Sequence, residues 1–177
     1  MSEGRKFYGK YRGTVVSNLD PEQRGRVMVE VPGVLTLVPS SWAEACVPLS
    51  GPPGFPLGTY LVPMIGAAVW VEFEHGDVNK PIWVGCQLPS TRDVPPDGLT
   101  GVPGDPNLVL QSLLKHRIVI SDLPPTPATG GIVLQSLTGA SLVVNDSGIY
   151  LDNGKGASLT LIGPAIDLNN GTLTVLG

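Results

Sequence analysis

Apolar and polar residues alternate along most of this 177-residue chain, and no apolar stripe recurs at helical spacing. "RVMVEV" sets Val27, Val29 and Val31 against Met28 and Glu30. "AAVWVEFEH" sets Val69, Val71 and Phe73 against Ala68, Trp70 and Glu72, and "GASLTLIG" sets Leu159 and Leu161 against Ser158 and Thr160. A period of two puts alternate side chains on opposite faces of a strand. An all-β protein of many short strands is predicted.

Two regions use this alternation differently. Residues 7 to about 88 hold five strands: "KFYGKYRGTVVSN", "RVMVEV", "SWAEACVPL", "AAVWVEFEH" and "KPIWVGCQL". "LDPEQRG" between the first two is a turn built on Asp20, Pro21 and Gly25. Five strands in so short a span suit a small OB-fold barrel, here assigned to residues 1–92. Its core is expected from Val69, Val71, Phe73, Ile82 and Val84. A helix often stands between the third and fourth strands of such a barrel. "SGPPGFPLG" occupies that place and cannot be helical, so a loop is expected.

Residues 93–106 are rich in proline and glycine and read as a stiff linker. Repeats then run to the end of the chain. "NLVLQSLLKHRIVISD", from Asn107, returns 24 residues later as "GIVLQSLTGASLVVND". "GASLVVNDSGIYLDNGK", at 139–155, returns 17 residues later as "GASLTLIGPAIDLNNGT". Both shifts lie near multiples of an eight-residue unit of strand plus turn, with "SDLPPTPATGG" as one wider loop, so residues 107–177 should form about eight stacked strands. Each unit carries one apolar face that must be covered. A self-closed solenoid would have only two or three coils, a thin core. Three chains winding about a shared axis close the stack better, giving an intertwined triple-stranded β-helix. Leu142, Ile149, Leu151, Leu159, Leu161, Ile166 and Leu168 are expected to line that axis, and a one-residue slip would turn them all outward.

A net charge of −4 and a pI near 5.0 give the chain no bulk attraction for nucleic acid or an anionic membrane. Glycine and proline total 23 + 18 = 41 residues, punctuation for many strands. The N-terminus lacks the apolar core of a signal peptide. Cys46 and Cys86 have no partner cysteine or histidine at metal-ligand spacing, and two buried, reduced thiols are the simplest expectation, with a disulfide between them left open.

The first region also carries a long pattern, P-x-I-G-x-x-V-W-V-x-F-E-x-G-D-x-x-x-P-I-W-V-G. With "YRGTVVSNLDPEQRGRVMVEVPGV" and "SSWAEACVPLSGP" it resembles the OB domain of central spike proteins of contractile injection systems, the phage baseplate assembly protein V and VgrG-like spikes. The repeats are similar to that family's triple-stranded β-helix. The resemblance implies a homotrimeric spike in a virion-tail or injection-particle baseplate, made in the bacterial cytoplasm. It also implies a baseplate hub protein forming a ring around the OB domains and transient contact with a target membrane on sheath contraction. The lysozyme-like domain of some members is missing between barrel and needle. No His-x-His metal tip is present either, so the VgrG-type resemblance implies a separate PAAR-type tip protein, contacting Leu173, Val175 and Leu176.

Other residues read as structure. "EFEHGD" groups Glu72, Glu74, His75 and Asp77 at a hairpin turn that needs Gly76. Lys6, Phe7, Tyr8, Lys10, Tyr11 and Arg12 mix basic and aromatic groups as single-strand binders do, but the acidic chain and apolar tail argue against nucleic acid. His116 is expected to point outward from the first needle strand, and Asp122 and Asp146 to start turns. No nucleophile, base or cofactor motif is present, so no enzyme and no cofactor are expected. Two alternatives stay open: a monomeric OB-type module binding single-stranded nucleic acid or saccharide, and the self-closed solenoid.

Overall fold

The computed structural model describes residues 5–35, 38–100, 102, 104–123 and 130–176, with Thr174 and Leu176 by backbone only. The chain forms two compact units, Met1–Pro89 and Ser90–Gly177.

The first unit contains Tyr11–Ser17 (β1), Met28–Glu30 (β2), Glu44–Ala45 (β3), Ala68–Phe73 (β4) and Pro81–Cys86 (β5), one for each expected strand. They lie in the order β2-β1-β4-β5-β3, with β3 parallel to β5. Just before β2 and β3, Val27 and Ala43 exchange two backbone hydrogen bonds of 3.2 and 2.7 Å. That bridge closes the circuit β1-β2-β3-β5-β4, the connectivity of an OB barrel.

Alternation delivers Val27, Val29, Val31, Val69, Val71 and Phe73 to a core shared with Val15, Ala43 and Trp83. The expected Ile82 and Val84 are only half-buried; Pro81 and Trp83 point inward instead. All four residues are apolar, so a period of two cannot choose between the faces. The indole decides: buried Trp83 donates its Nε1–H to the Gly25 carbonyl at 3.0 Å, leaving no polar atom unpaired.

The β1–β2 turn is held by Asp20, whose side chain is almost fully buried. Its carboxylate accepts from the backbone N–H groups of Glu22 (3.0 Å), Arg24 (2.8 Å) and Arg26 (3.3 Å) and from the Arg26 guanidinium (2.6 and 3.1 Å). The basic-aromatic N-terminal stretch is used internally. Phe7 and Tyr11 pack on Phe73, Lys10 pairs with Glu72, and Arg12 lies 5.3 Å over the Trp70 ring. In "EFEHGD", Glu74 pairs with Lys80 at 3.6 Å, Asp77 accepts from the Asn79 N–H at 3.0 Å, and Gly76 turns the chain at φ +72°. Cys46 and Cys86 are free thiols, and both are exposed, contrary to the expectation of buried ones. They sit where β3 and β5 run out and the barrel no longer covers them.

The second unit is a single eight-stranded antiparallel meander: Leu108–Gln111 (β6), Arg117–Ser121 (β7), Gly131–Gln135 (β8), Ser141–Asn145 (β9), Gly148–Asp152 (β10), Ser158–Ile162 (β11), Ala165–Leu168 (β12) and Leu173–Leu176 (β13). The strand number is as expected. The 24-residue repeat, however, spans two strands rather than three, the hairpin β6–β7 recurring as β8–β9, with its extra length in the β7–β8 connection. Residues 124–129 of the expected wide loop lie outside the described residues. Each strand pairs with its neighbours in sequence.

Several turns depart from expectation in detail. His116 lies in the β6–β7 connection, where its carbonyl accepts from Ser112 N–H at 2.9 Å, not on a strand. The β9–β10 turn is started by Asn145 rather than Asp146: its Oδ1 accepts from the N–H groups of Ser147 (3.0 Å) and Gly148 (3.1 Å). Ser121, not Asp122, accepts from Leu123 N–H at 3.2 Å in the equivalent place. Two 3₁₀ turns form at and within the segment expected as a stiff linker, Thr91–Asp93 at its start and Pro96–Leu99 inside it. Asp97 lies 2.9 Å from Arg117 Nε, an ion pair without hydrogen-bond alignment, and Asn107 Nδ2 donates to the Asp97 carbonyl at 2.7 Å. Residues 101 and 103 of that segment lie outside the described residues.

Candidate assembly face

Register across the meander sorts its side chains into two continuous ladders. One runs Leu108, Ile120, Ile132, Val144, Ile149, Leu161, Ile166, Val175. The other runs Leu110, Ile118, Leu134, Leu142, Leu151, Leu159, Leu168, Leu173. The two members on each strand are separated by one residue, so both ladders share one face. All sixteen side chains are Leu, Ile or Val.

The other face differs. Between the ladders in sequence stand Val109, Val119, Val133, Val143, Tyr150, Thr160 and Asp167, apolar in the first four strands and increasingly polar afterwards. Val119 and Val143 are buried. The aliphatic face stays open: Leu108 is 58% exposed, Leu134 40%, Ile149 38% and Leu173 55%. A sheet is stable when one face packs on another layer. Covering a half-exposed aliphatic side chain contributes about 1 kcal/mol, so this face offers on the order of 15 kcal/mol per chain before entropy is counted.

Every residue expected on the shared axis lies on this face. Leu142, Leu151, Leu159 and Leu168 are consecutive in one ladder, and Ile149, Leu161 and Ile166 are consecutive in the other. Leu173 and Val175, expected at the tip, end the same ladders, while Leu176 pairs with Ala165 in the alternate register and its side chain lies outside the described residues. Leu108, Leu110, Ile118, Ile120, Ile132, Leu134 and Val144, not expected on the axis, belong to the same ladders. "NLVLQ", "RIVIS", "GIVLQ" and "SLVVN" carry the same alternation and hold them.

Among the described residues no group of three or more His, Cys, Asp or Glu is placed to hold a metal ion. The face is aliphatic and regular, a surface suited to association. Residues 107–174 match the family model described as the phage baseplate V C-terminal trimerisation domain. Residues 11–87 match the model described as the type VI secretion system/phage-baseplate injector OB domain. No curated protein matches the chain. An OB barrel followed by a sheet with one uncovered aliphatic face is therefore an injector OB domain joined to a trimerisation domain, and the chain belongs to the phage baseplate V family as a structural, homotrimeric baseplate protein.

Proposed function

We propose that the trimer is the central spike of a contractile tail or injection particle, attached to a hub ring through its OB domains and driven through the target envelope when the sheath contracts. The carrying observation is the uninterrupted pair of aliphatic ladders on a trimerisation domain. Three such faces turned toward one axis form a dry core without a polar residue in either ladder. The work is mechanical and non-enzymatic. A separate PAAR-type tip protein is taken to contact Leu173 and Val175 on β13. No helix among the described residues is long and apolar enough to cross a membrane.

Deleting the gene in the producing cell and imaging the particles by electron microscopy tests the reading. Baseplates should lose their axial spike density and the particles their ability to permeabilise target cells, with both restored by the wild-type chain. Particles that keep the density and still permeabilise would overturn it.

A further inference from the structure

From Cys46 to Val71 the first unit contains no charged residue, although much of that stretch is on the surface. Leu49, Phe55, Leu57, Tyr60 and Leu61 are all more than half exposed. Residues 48–59 form a projecting arm: Gly51 N–H donates to the Leu57 carbonyl at 2.7 Å, Thr59 N–H to Leu49 at 3.2 Å and Phe55 N–H to Pro52 at 3.0 Å. Pro48, Pro52, Pro53 and Pro56 stiffen it, so it is preorganised rather than a floppy loop. Phe55 stands at its tip, 71% exposed. Charge depletion with an exposed aromatic anchor is the composition of an interface centre.

At the foot of the arm lies a cavity of about 340 Å³, lined by Cys46, Pro48, Leu61, Val62, Trp83 and Cys86 among others. A dry apolar cavity of about 150 Å³ already accepts benzene, so this one has room for a phenyl ring. Phe55 does not line the cavity of its own chain. Anchor and socket are both present on one barrel, and both are unused within it.

We infer that, in the trimer, Phe55 of each OB domain docks in the cavity of the next, forming a head-to-tail ring of three. The trimerisation domain makes a second copy the favoured occupant. It tethers three barrels through short segments, which sets their effective concentration on the order of millimolar, so even a weak contact is populated. An anchor-to-socket contact is heterologous, and threefold symmetry is what closes it without leaving an open chain. The inference rests on the homotrimer but not on hub attachment or piercing.

The native thiols supply the test. In full-length Phe55→Cys, mild oxidation by oxidised glutathione should join the new thiol to Cys46 or Cys86 of a neighbour, two thiols forming one disulfide while glutathione disulfide is reduced to two thiols. Non-reducing gels should show covalent dimer and trimer independent of protein concentration, lost when Cys46 and Cys86 are both serine. Phe55→Ser, in a trimer of unchanged mass, should speed maleimide labelling of Cys46 and Cys86 several-fold. A trimer by light scattering that gives no cross-link, cross-links only within a chain, or still cross-links without the native cysteines would overturn the ring while leaving the trimer standing. A monomeric mass for the wild-type chain would remove the homotrimer itself.

Discussion

Leu159 and Leu168 stand directly opposite each other on adjacent strands of the aliphatic face, with Leu151 in register on the far side of Leu159. A charge at this position meets hydrocarbon on both sides. Leu159→Asp would bring three carboxylates to the trimer axis, where unpaired ions cost several kcal/mol each. Sizing with light scattering should show the trimer lost. Thr160→Lys, one residue away and opposite Asp167 on the other face, should leave the mass unchanged; a reversed result would put the wrong face inward.

The oligomer should depend on the second unit. The full chain is expected at 3 × 18.5 = 55.5 kDa. A fragment of residues 1–89 should run as a monomer at micromolar concentration, because the millimolar tethering is gone. A trimeric fragment would move the main association to the OB domain.

Asp20 and Arg26 make the first unit sensitive to acid. The Arg26 guanidinium, helped by three backbone N–H groups and opposed by burial, holds the Asp20 carboxyl well below the usual carboxylate range. A lowered folded pKa means the stabilisation is complete above the unfolded value of about 3.9 and is lost as pH falls through the folded value. Chemical denaturation of the wild type should therefore weaken below about pH 4. Asp20→Asn should lower the melting temperature at pH 7 by about 5 °C or more and flatten that acid dependence. An unchanged pH profile would show that the pair contributes nothing to folding.

The inward register of β5 separates two neighbouring residues. Trp83→Ala removes a buried ring and strands the Gly25 carbonyl, an expected loss of about 3–5 kcal/mol. Ile82→Ala, at a half-exposed site, should cost about 1 kcal/mol. Urea unfolding of both variants reads the difference directly, and equal losses would contradict the observed packing.

Strand existence was legible in the sequence wherever apolar and polar residues alternated, as at Val27–Val31 and Val69–Phe73. The inward face was not legible at "PIWVG", where every candidate was apolar and the outcome hung on an indole hydrogen bond to a residue 58 positions away. That Ile149, Leu151, Leu159, Leu161, Ile166 and Leu168 share one face was legible because the opposite pleat is more polar in the last strands. In the first four strands Val109, Val119, Val133 and Val143 masked the contrast. Strand connectivity was the least visible. An eight-residue spacing does not say which strands are neighbours, and short turns such as the one Asn145 starts pair each strand with the next. The folding of the supposed linker rests on Asp97 meeting Arg117, a contact that no local pattern announces.

Because every strand of the meander pairs with its immediate predecessor, the second unit has very low contact order. Hairpins of this kind close within microseconds, far faster than a ribosome adds residues. In a nascent chain each hairpin can thus form its hydrogen-bond ladder as soon as it emerges, while its aliphatic side still lacks two companions. Maturation is then governed by encounter rather than by folding, and grows steeply faster with the local abundance of newly made chains. Synthesis from one polysome, where several copies emerge side by side, would shorten the interval in which that sticky surface is open to wrong partners.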